Sequence, residues 1–230
     1  MVTAPVELAP GLWRWTARHP EWHPGEFGAE IAAYALLAGD DALLVDPLLP
    51  DDADQRNAVD ALIDRLCDAQ RLAILITIPY HARSAEPIWK RVRGRLPTTI
   101  RGHAATAKRL RSRQGFAPFV AGEEMPGGAV AFEIGKPRRF ELPVHLPSHA
   151  ALAFGDAIVG TADGLRMWAD APPKDSHRRF YAERFAPTLE PLLELEVERV
   201  LVTHGPPMLK GGGAALEAAV HGEPWYHRPS

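Results

Sequence analysis

The chain has 230 residues, 46% hydrophobic and 24% charged, a composition that excludes a disordered chain and allows one large core or two fused layers. Its formal net charge is −3, and the basic residues are spread through helical segments, so there is no electrostatic footprint for nucleic acid. Cys67 is the single cysteine, which excludes an intramolecular disulfide and a thiolate metal cluster and makes a reducing compartment the simpler reading.

The N-terminal stretch "MVTAPVELAP" lacks the basic segment and apolar run of a signal peptide. No segment approaches the about 18 uninterrupted apolar residues of a membrane helix. The expectation is a cytoplasmic protein without membrane or nucleic-acid partners. "HPEWHPGEFG", from His19 to Gly28, is an excursion over the surface. His19, Trp22 and His23 there offer aromatic surface to an organic substrate, although a loop with a tucked-in tryptophan is the plainer interpretation.

Residues 30 to 47, "EIAAYALLAGDDALLVDP", read as two apolar strands around Gly39, Asp40 and Asp41, a hairpin signal that ends at Asp46-Pro47. Gln55 to Arg71 places Val59, Leu62, Ile63 and Leu66 at helical spacing. Cys67 beside them reads as a small buried hydrophobe. Leu72 to Ile78 is an isoleucine-rich run suited to a strand covered on both faces. The alternation continues with a helix from about Ala85 to Arg95, a strand near Thr98 to Arg101 and a helix from about Ala104 to Gly115. The basic residues between Lys108 and Arg113 fit a solvated helix face.

Past Gly127-Gly128, the stretches "AVAFEI", "RFELPVHL", "ALAF" and "AIVGTA" are separated by Gly135, Pro137, Pro147 and "FGDA", which reads as an antiparallel meander over residues 129 to 165. Residues 166 to 185 add Arg166, His177, Arg178, Arg179 and Tyr181, a basic segment that suits an anionic ligand or plain solvent exposure. A helix over residues 186 to 198, a strand from Val200 to Thr203 and a helix from Gly211 to Val220 close the chain. This order predicts an α/β protein, an αββα sandwich of two mixed β-sheets flanked by helices. It forms one domain over residues 1–230, with its core at about 10–210 and a C-terminal helix and tail at 211–230. The tail "HGEPWYHRPS" could pack on its own chain or on a neighbour, so oligomeric state stays open.

The run "ILITIPYHARSAE" breaks at Pro79 into Tyr80, His81, Arg83, Ser84 and Glu86, the way many α/β enzymes open an active site. With "LLVDP" (Leu43–Pro47), "HLPSH" (His145–His149), "AIVGTADGL" (Ala157–Leu165) and "VTHGPP" (Val202–Pro207), it resembles the metallo-β-lactamase superfamily over roughly residues 10 to 210. The resemblance implies an αββα sandwich with a metal site at the edge where the two sheets meet. In that family the strand ending in "LLT" runs into His-x-His-x-Asp-His. With Thr77 as anchor those positions hold Ile78, Tyr80, Ala82 and Arg83, so most of the family's ligands are lost.

The resemblance carries metal-binding roles onto His149, Asp163 and His204, and His81 could join them if a local bulge shifted the register by one residue. It also matches Asp46 to an aspartate that braces the metal loop in the family; with that loop rewritten, Asp46 is expected to cap nearby backbone amides. His145, in a strand-like stretch, reads as a structural or cleft histidine. Arg83 could replace the family's metal by a fixed cation, pairing with Asp163. Two functions follow. The first is a hydrolase of an ester, amide or phosphodiester with a reduced site of one divalent metal (zinc, iron or manganese), His81 or Tyr80 donating a proton to the leaving group. The second is a non-catalytic, metal-free protein that binds a small anionic ligand in the same cleft. Metal-free acid/base catalysis by the histidines is a third.

Overall fold

The computed structural model describes residues 3–23, 27–120, 122–172 and 174–227. The N-terminal half forms one seven-stranded mixed sheet whose strands lie in chain order. β1 (Val6–Ala9), β2 (Leu12–Arg18), β3 (Glu30–Ala38) and β4 (Asp41–Val45) are antiparallel, and β5 (Arg71–Ile76), β6 (Thr98–Gly102) and β7 (Phe116–Pro118) continue parallel to β4. Connection length explains the switch. β3 and β4 are joined by a tight turn at Gly39, whose φ of 60° suits a residue without a Cβ, whereas parallel neighbours need a crossover. Two of the three crossovers are α1 (Ala53–Leu66) and α2 (Ala85–Val92), and the third, between β6 and β7, carries the 3-10 turn Ala104–Lys108. Asp52 caps α1 by accepting the Gln55 amide at 3.0 Å.

The second sheet has the order β13-β10-β9-β8. β8 (Val130–Ala131), β9 (Val144–Leu146) and β10 (Ala151–Phe154) are antiparallel, and β13 (Arg199–Val202) runs parallel to β10. β11 (Ile158–Thr161) and β12 (Gly164–Met167) form a separate ribbon. α3 (Asp175–Phe180) passes through a π turn at Tyr181–Phe185 into α4 (Ala186–Leu189), and α5 (Gly212–Val220) follows β13. Among the described residues no helix is long and apolar enough to cross a membrane.

Period-two alternation sorts these strands into the expected layers. Leu44, Leu72 and Ile74 pack with Leu62, Ile63, Ile88 and Trp89 of α1 and α2. The opposite faces, with Leu43, Val45 and Leu75, meet Val144, Leu146, Ala153 and Leu201 of the second sheet. Leu152, Phe154, Val200 and Val202 then face Phe185, Leu189 and Leu216 of the outer helices. The αββα sandwich read from the sequence is therefore the fold, with the ribbon as an addition. Cys67 ends α1 half-buried against the first of these cores, where burial pushes its thiol up.

Several elements differ from the sequence reading. The helix expected over residues 104–115 is a single 3-10 turn, Ala104–Lys108. The Glu86 carboxylate accepts the amides of Arg111 and Ser112 at 2.6 and 2.8 Å, which holds that segment off a helical path. In "AVAFEI" only Val130 and Ala131 form strand β8; the Phe132 amide still donates to the Pro143 carbonyl at 2.9 Å, but Pro143 has no amide to return and the ladder stops there. The helix expected to begin at 186 starts at Asp175, and its α-helical part ends at Leu189 before a 3-10 turn that contains Pro191. The strands made by "VELA" and "LWRWTAR" had no counterpart in the sequence reading.

The sheets are stitched along β3. The Ala32 amide donates to the Thr203 carbonyl at 2.8 Å, Ile31 bridges to His204, and the Tyr34 hydroxyl donates to the Val202 carbonyl at 2.8 Å. This seam fixes where β13 ends relative to the first sheet.

Candidate metal centre

Four strand ends supply the site. Asp46 follows β4, Thr77 follows β5, Gly155-Asp156 follows β10 and Thr203-His204 follows β13. β4 and β5 are parallel, as are β10 and β13, so their carboxyl ends open onto a common rim, the usual place for a ligand in an α/β fold.

Asp46 is buried and has a left-handed backbone, φ 46°, a conformation that aspartate tolerates better than most residues. Its Oδ1 accepts the Thr77 amide at 2.8 Å. Its Oδ2 accepts the Thr77 hydroxyl, the Thr203 hydroxyl at 3.4 Å and the Nδ1–H of His81 at 2.9 Å. Beyond Thr77, a 3-10 turn from Pro79 to Ala82 curls the chain so that the buried His81 ring enters the site.

Asp156 is held from behind. The buried Glu141 carboxylate accepts the successive amides of Gly155, Asp156 and Ala157 at 2.9, 3.0 and 2.9 Å. Asp156 Oδ1 lies 3.3 Å from His81 Nε2 and 3.4 Å from His204 Nε2. The donor atoms of His81, Asp156 and His204 all fall within 4.8 Å of one another.

Charge is concentrated here. Burial opposes an ionised Asp156, yet His81 and His204 outweigh it and hold the carboxyl well below the usual carboxylate range. Burial and Arg83 oppose a charged His81, while Asp46 and Asp156 together raise its pKa. Burial, and then the Asp156 charge, push Glu141 up to about 7 despite Arg138 and the amide donors.

The donor set fits a metal ion. With Nδ1–H committed to Asp46, a neutral His81 aims the Nε2 lone pair toward a carboxylate oxygen, an opposition that either a proton on Nε2 or a metal ion relieves. Asp156 Oδ1 is buried and close to both imidazoles without an aligned donor among the described residues, a geometry that suits a shared metal ion. The two separations from Asp156 Oδ1, 3.3 and 3.4 Å, are short enough for its oxygen and either imidazole nitrogen to share one ion at bond lengths of about 2.0–2.1 Å. Two imidazoles and a carboxylate suit zinc or iron and leave further coordination positions open. Asp46 behind His81 is the carboxylate–histidine support that such ligands usually have.

The group opens into a cleft of about 390 Å³ lined by Trp22, Phe27, Tyr80, Arg83 and Trp168. The loop around residue 22 thus overhangs the site, although residues 24–26 of "HPEWHPGEFG" lie outside the described residues, as do residues 228–230 of the tail.

Of the ligands implied by the resemblance, His204 joins the group and the other two do not. His149 sits under the β1–β2 turn, its Nε2–H donating to the Pro10 carbonyl at 3.3 Å while the Ser148 hydroxyl donates to Nδ1 at 2.9 Å. His149 precedes β10, whose far, carboxyl end carries Asp156 at the rim, so the length of the strand separates it from the group. Asp163 is exposed at the tip of the β11–β12 hairpin, where its amide donates to the Thr161 hydroxyl at 3.2 Å. The Arg83–Asp163 ion pair is not formed; the carboxylates acting on Arg83 are Asp46, Asp156 and Glu21. His145 lies on β9 opposite Leu152 and Val130, outside the cleft lining. His81 belongs with the metal-ligand group, and Tyr80 stands at the cleft with 61% of its surface exposed.

Sequence reasoning missed Asp156 and Glu141. "FGDA" passed as a turn, but a Gly-Asp directly after the apolar run "ALAF" has the same form as Asp46 after "LLV", and that signal could have found it. Nothing local marks Glu141.

The fold is that of the metallo-β-lactamases. A metallo-β-lactamase family protein from Thermus thermophilus superposes with a TM-score of 0.59 at 16% identity, over 94% of this chain and 80% of that one. The metallo-β-lactamase DIM-1 does so with 0.58 at 15% identity, over 95% and 100%. The metal-soaked Flv1 flavodiiron core from Synechocystis gives 0.64 at 16% identity over 95% of this chain, which spans 60% of that core's length. No family model and no curated protein matches the sequence.

Proposed function

We propose that the chain is a metal-dependent hydrolase with a one-metal site held by His81, Asp156 and His204, acting on an ester, amide or phosphodiester. The observation that carries this reading is the convergence of two Nε2 atoms on one carboxylate oxygen, at 3.3 and 3.4 Å, without hydrogen-bond alignment. A divalent ion held there by His81, Asp156 and His204 would supply Lewis acidity and lower the pKa of a bound water. The protein's part is positional. Asp46 fixes the His81 ring through Nδ1, Glu141 fixes the Asp156 loop, and Trp168, whose ring centroid is 4.9 Å from that of His204, walls the site. His81 is committed through both ring nitrogens, so Tyr80 is the better proton donor to a leaving group.

The test is metal analysis of the purified chain after growth with zinc, iron and manganese, together with hydrolysis of 4-nitrophenyl acetate and bis(4-nitrophenyl) phosphate. We expect about one ion per chain, lost in His204→Ala and His81→Ala but kept in His149→Ala and Asp163→Asn. A chain that takes up no metal, with a thermal midpoint indifferent to chelator, would leave the second reading. That reading is a metal-free ligand-binding protein, favoured by the position of His81 between two carboxylates, 2.9 Å from Asp46 and 3.3 Å from Asp156, where a protonated ring has an acceptor at each nitrogen.

A further inference from the structure

Arg83 is a half-buried guanidinium that makes no hydrogen bond or ion pair among the described residues, and its Nη1 is buried without a partner. Asp46, Asp156 and Glu21 act on it only through space. An enclosed, unsatisfied charge of this kind is costly, and a guanidinium presents paired donors matched to carboxylate or phosphate oxygens. An ion on Asp156 would remove part of its counter-charge and leave Arg83 more in need of an anion.

Its position says where the anion would lie. Arg83 and Tyr80 line both the cleft of about 390 Å³ that holds the metal-ligand group and an adjoining one of about 540 Å³. The second compartment also holds Arg56 and Arg109, set against Glu21 and Asp51. The guanidinium carbon of Arg109 is 4.1 Å from the centre of the Tyr80 ring, which leaves a flat cationic surface beside Arg83.

We infer that Arg83 is the anion-binding residue of this cleft and that the substrate carries a carboxylate or phosphate group held between the two compartments, next to the bond that is cleaved. The anion site stands on the geometry of Arg83; that its occupant is a substrate rests on the hydrolase reading.

The experiment is a titration of the full chain, chelator-treated and zinc-loaded, with inorganic phosphate and with succinate at constant ionic strength, read by calorimetry and thermal midpoint. At least one anion should bind saturably, and which one identifies the group. Arg83→Gln should weaken that binding about tenfold or more, and Arg109→Gln by less. Arg83→Lys keeps the charge without the two-point contact, so it should fall between wild type and Arg83→Gln, and it carries the comparison if Arg83→Gln does not fold. Absence of saturable binding by either anion, or Arg83 variants that bind as well as wild type, overturns the inference. Anion binding by a chain that takes up no zinc keeps the anion site and removes the hydrolase reading; zinc uptake without anion binding does the reverse.

Discussion

His81 Nδ1 and Asp46 Oδ2 are 2.9 Å apart, and both side chains are almost wholly buried. This contact sets the tautomer of the imidazole and leaves Nε2, 3.3 Å from Asp156, as its only free donor atom. The metal-binding capacity of the site depends on it.

Replacing Asp46 should therefore show in metal affinity before activity is considered. Asp46→Asn is expected to lower zinc affinity about 10–100-fold in a competition titration with a chromophoric chelator. Asp46→Ala should also cost about 3 kcal/mol in denaturant unfolding, since the Thr77 amide and hydroxyl and the His81 N–H lose their acceptor. Unchanged zinc affinity in both variants would mean that His81 is not a ligand.

Glu141 never touches the cleft, yet its carboxylate holds three consecutive amides around Asp156. Glu141→Gln has one acceptor oxygen in place of two and presents an amide donor to backbone N–H groups. We expect a loss of about 2–4 kcal/mol in chemical denaturation, with zinc binding weakened even where the variant is folded. A variant as stable as wild type would show that the three-amide contact is energetically idle.

The metal-free protein should be most stable at mildly acidic pH. Asp156 is shifted below its ordinary 3.8, so its contribution is present above that value and is lost as pH falls further. His81 is raised above 6.5 and Glu141 is raised from 4.5 to about 7, so each contributes stability below its ordinary value and loses it as pH rises through the raised one. Thermal midpoints in chelator should fall from about pH 6 to 8, and zinc should reverse the decline by taking the place of the His81 proton. A chelated protein that gains stability over that interval would contradict the assignment.

Gly160 and Gly205 touch backbone to backbone. A Cβ on Gly160 would meet the Pro206 carbonyl oxygen at 1.9 Å, and the Gly160 amide donates to the His204 carbonyl at 2.9 Å. Gly160→Ala is expected to cost about 1–3 kcal/mol and to displace His204, weakening zinc binding with it. Wild-type stability together with wild-type affinity would show that the ribbon and the His204 loop move independently.

Much of this architecture is legible in local pattern. The Glu30–Val45 hairpin shows in its alternation and its Gly-Asp turn, and β5 shows in a run whose residues from Leu72 to Ile76 are all buried. His204 and Asp46 stand out as polar residues directly after apolar strands. Asp163 is singled out by the resemblance alone, and antiparallel pairing of Thr161 with Gly164 puts it at a hairpin tip in solvent.

By itself the sequence determined the layers, because side-chain periodicity is a property of the local backbone and decides which face of each strand or helix must be buried. Only the tertiary structure decided the site: Asp156 rather than Asp163 meets His81 and His204 because β10 lies parallel to β13 and β3 stitches β13 to the first sheet. Such pairings join residues far apart in the chain, and the free energy that selects them belongs to the packed whole, not to any segment that can be read alone.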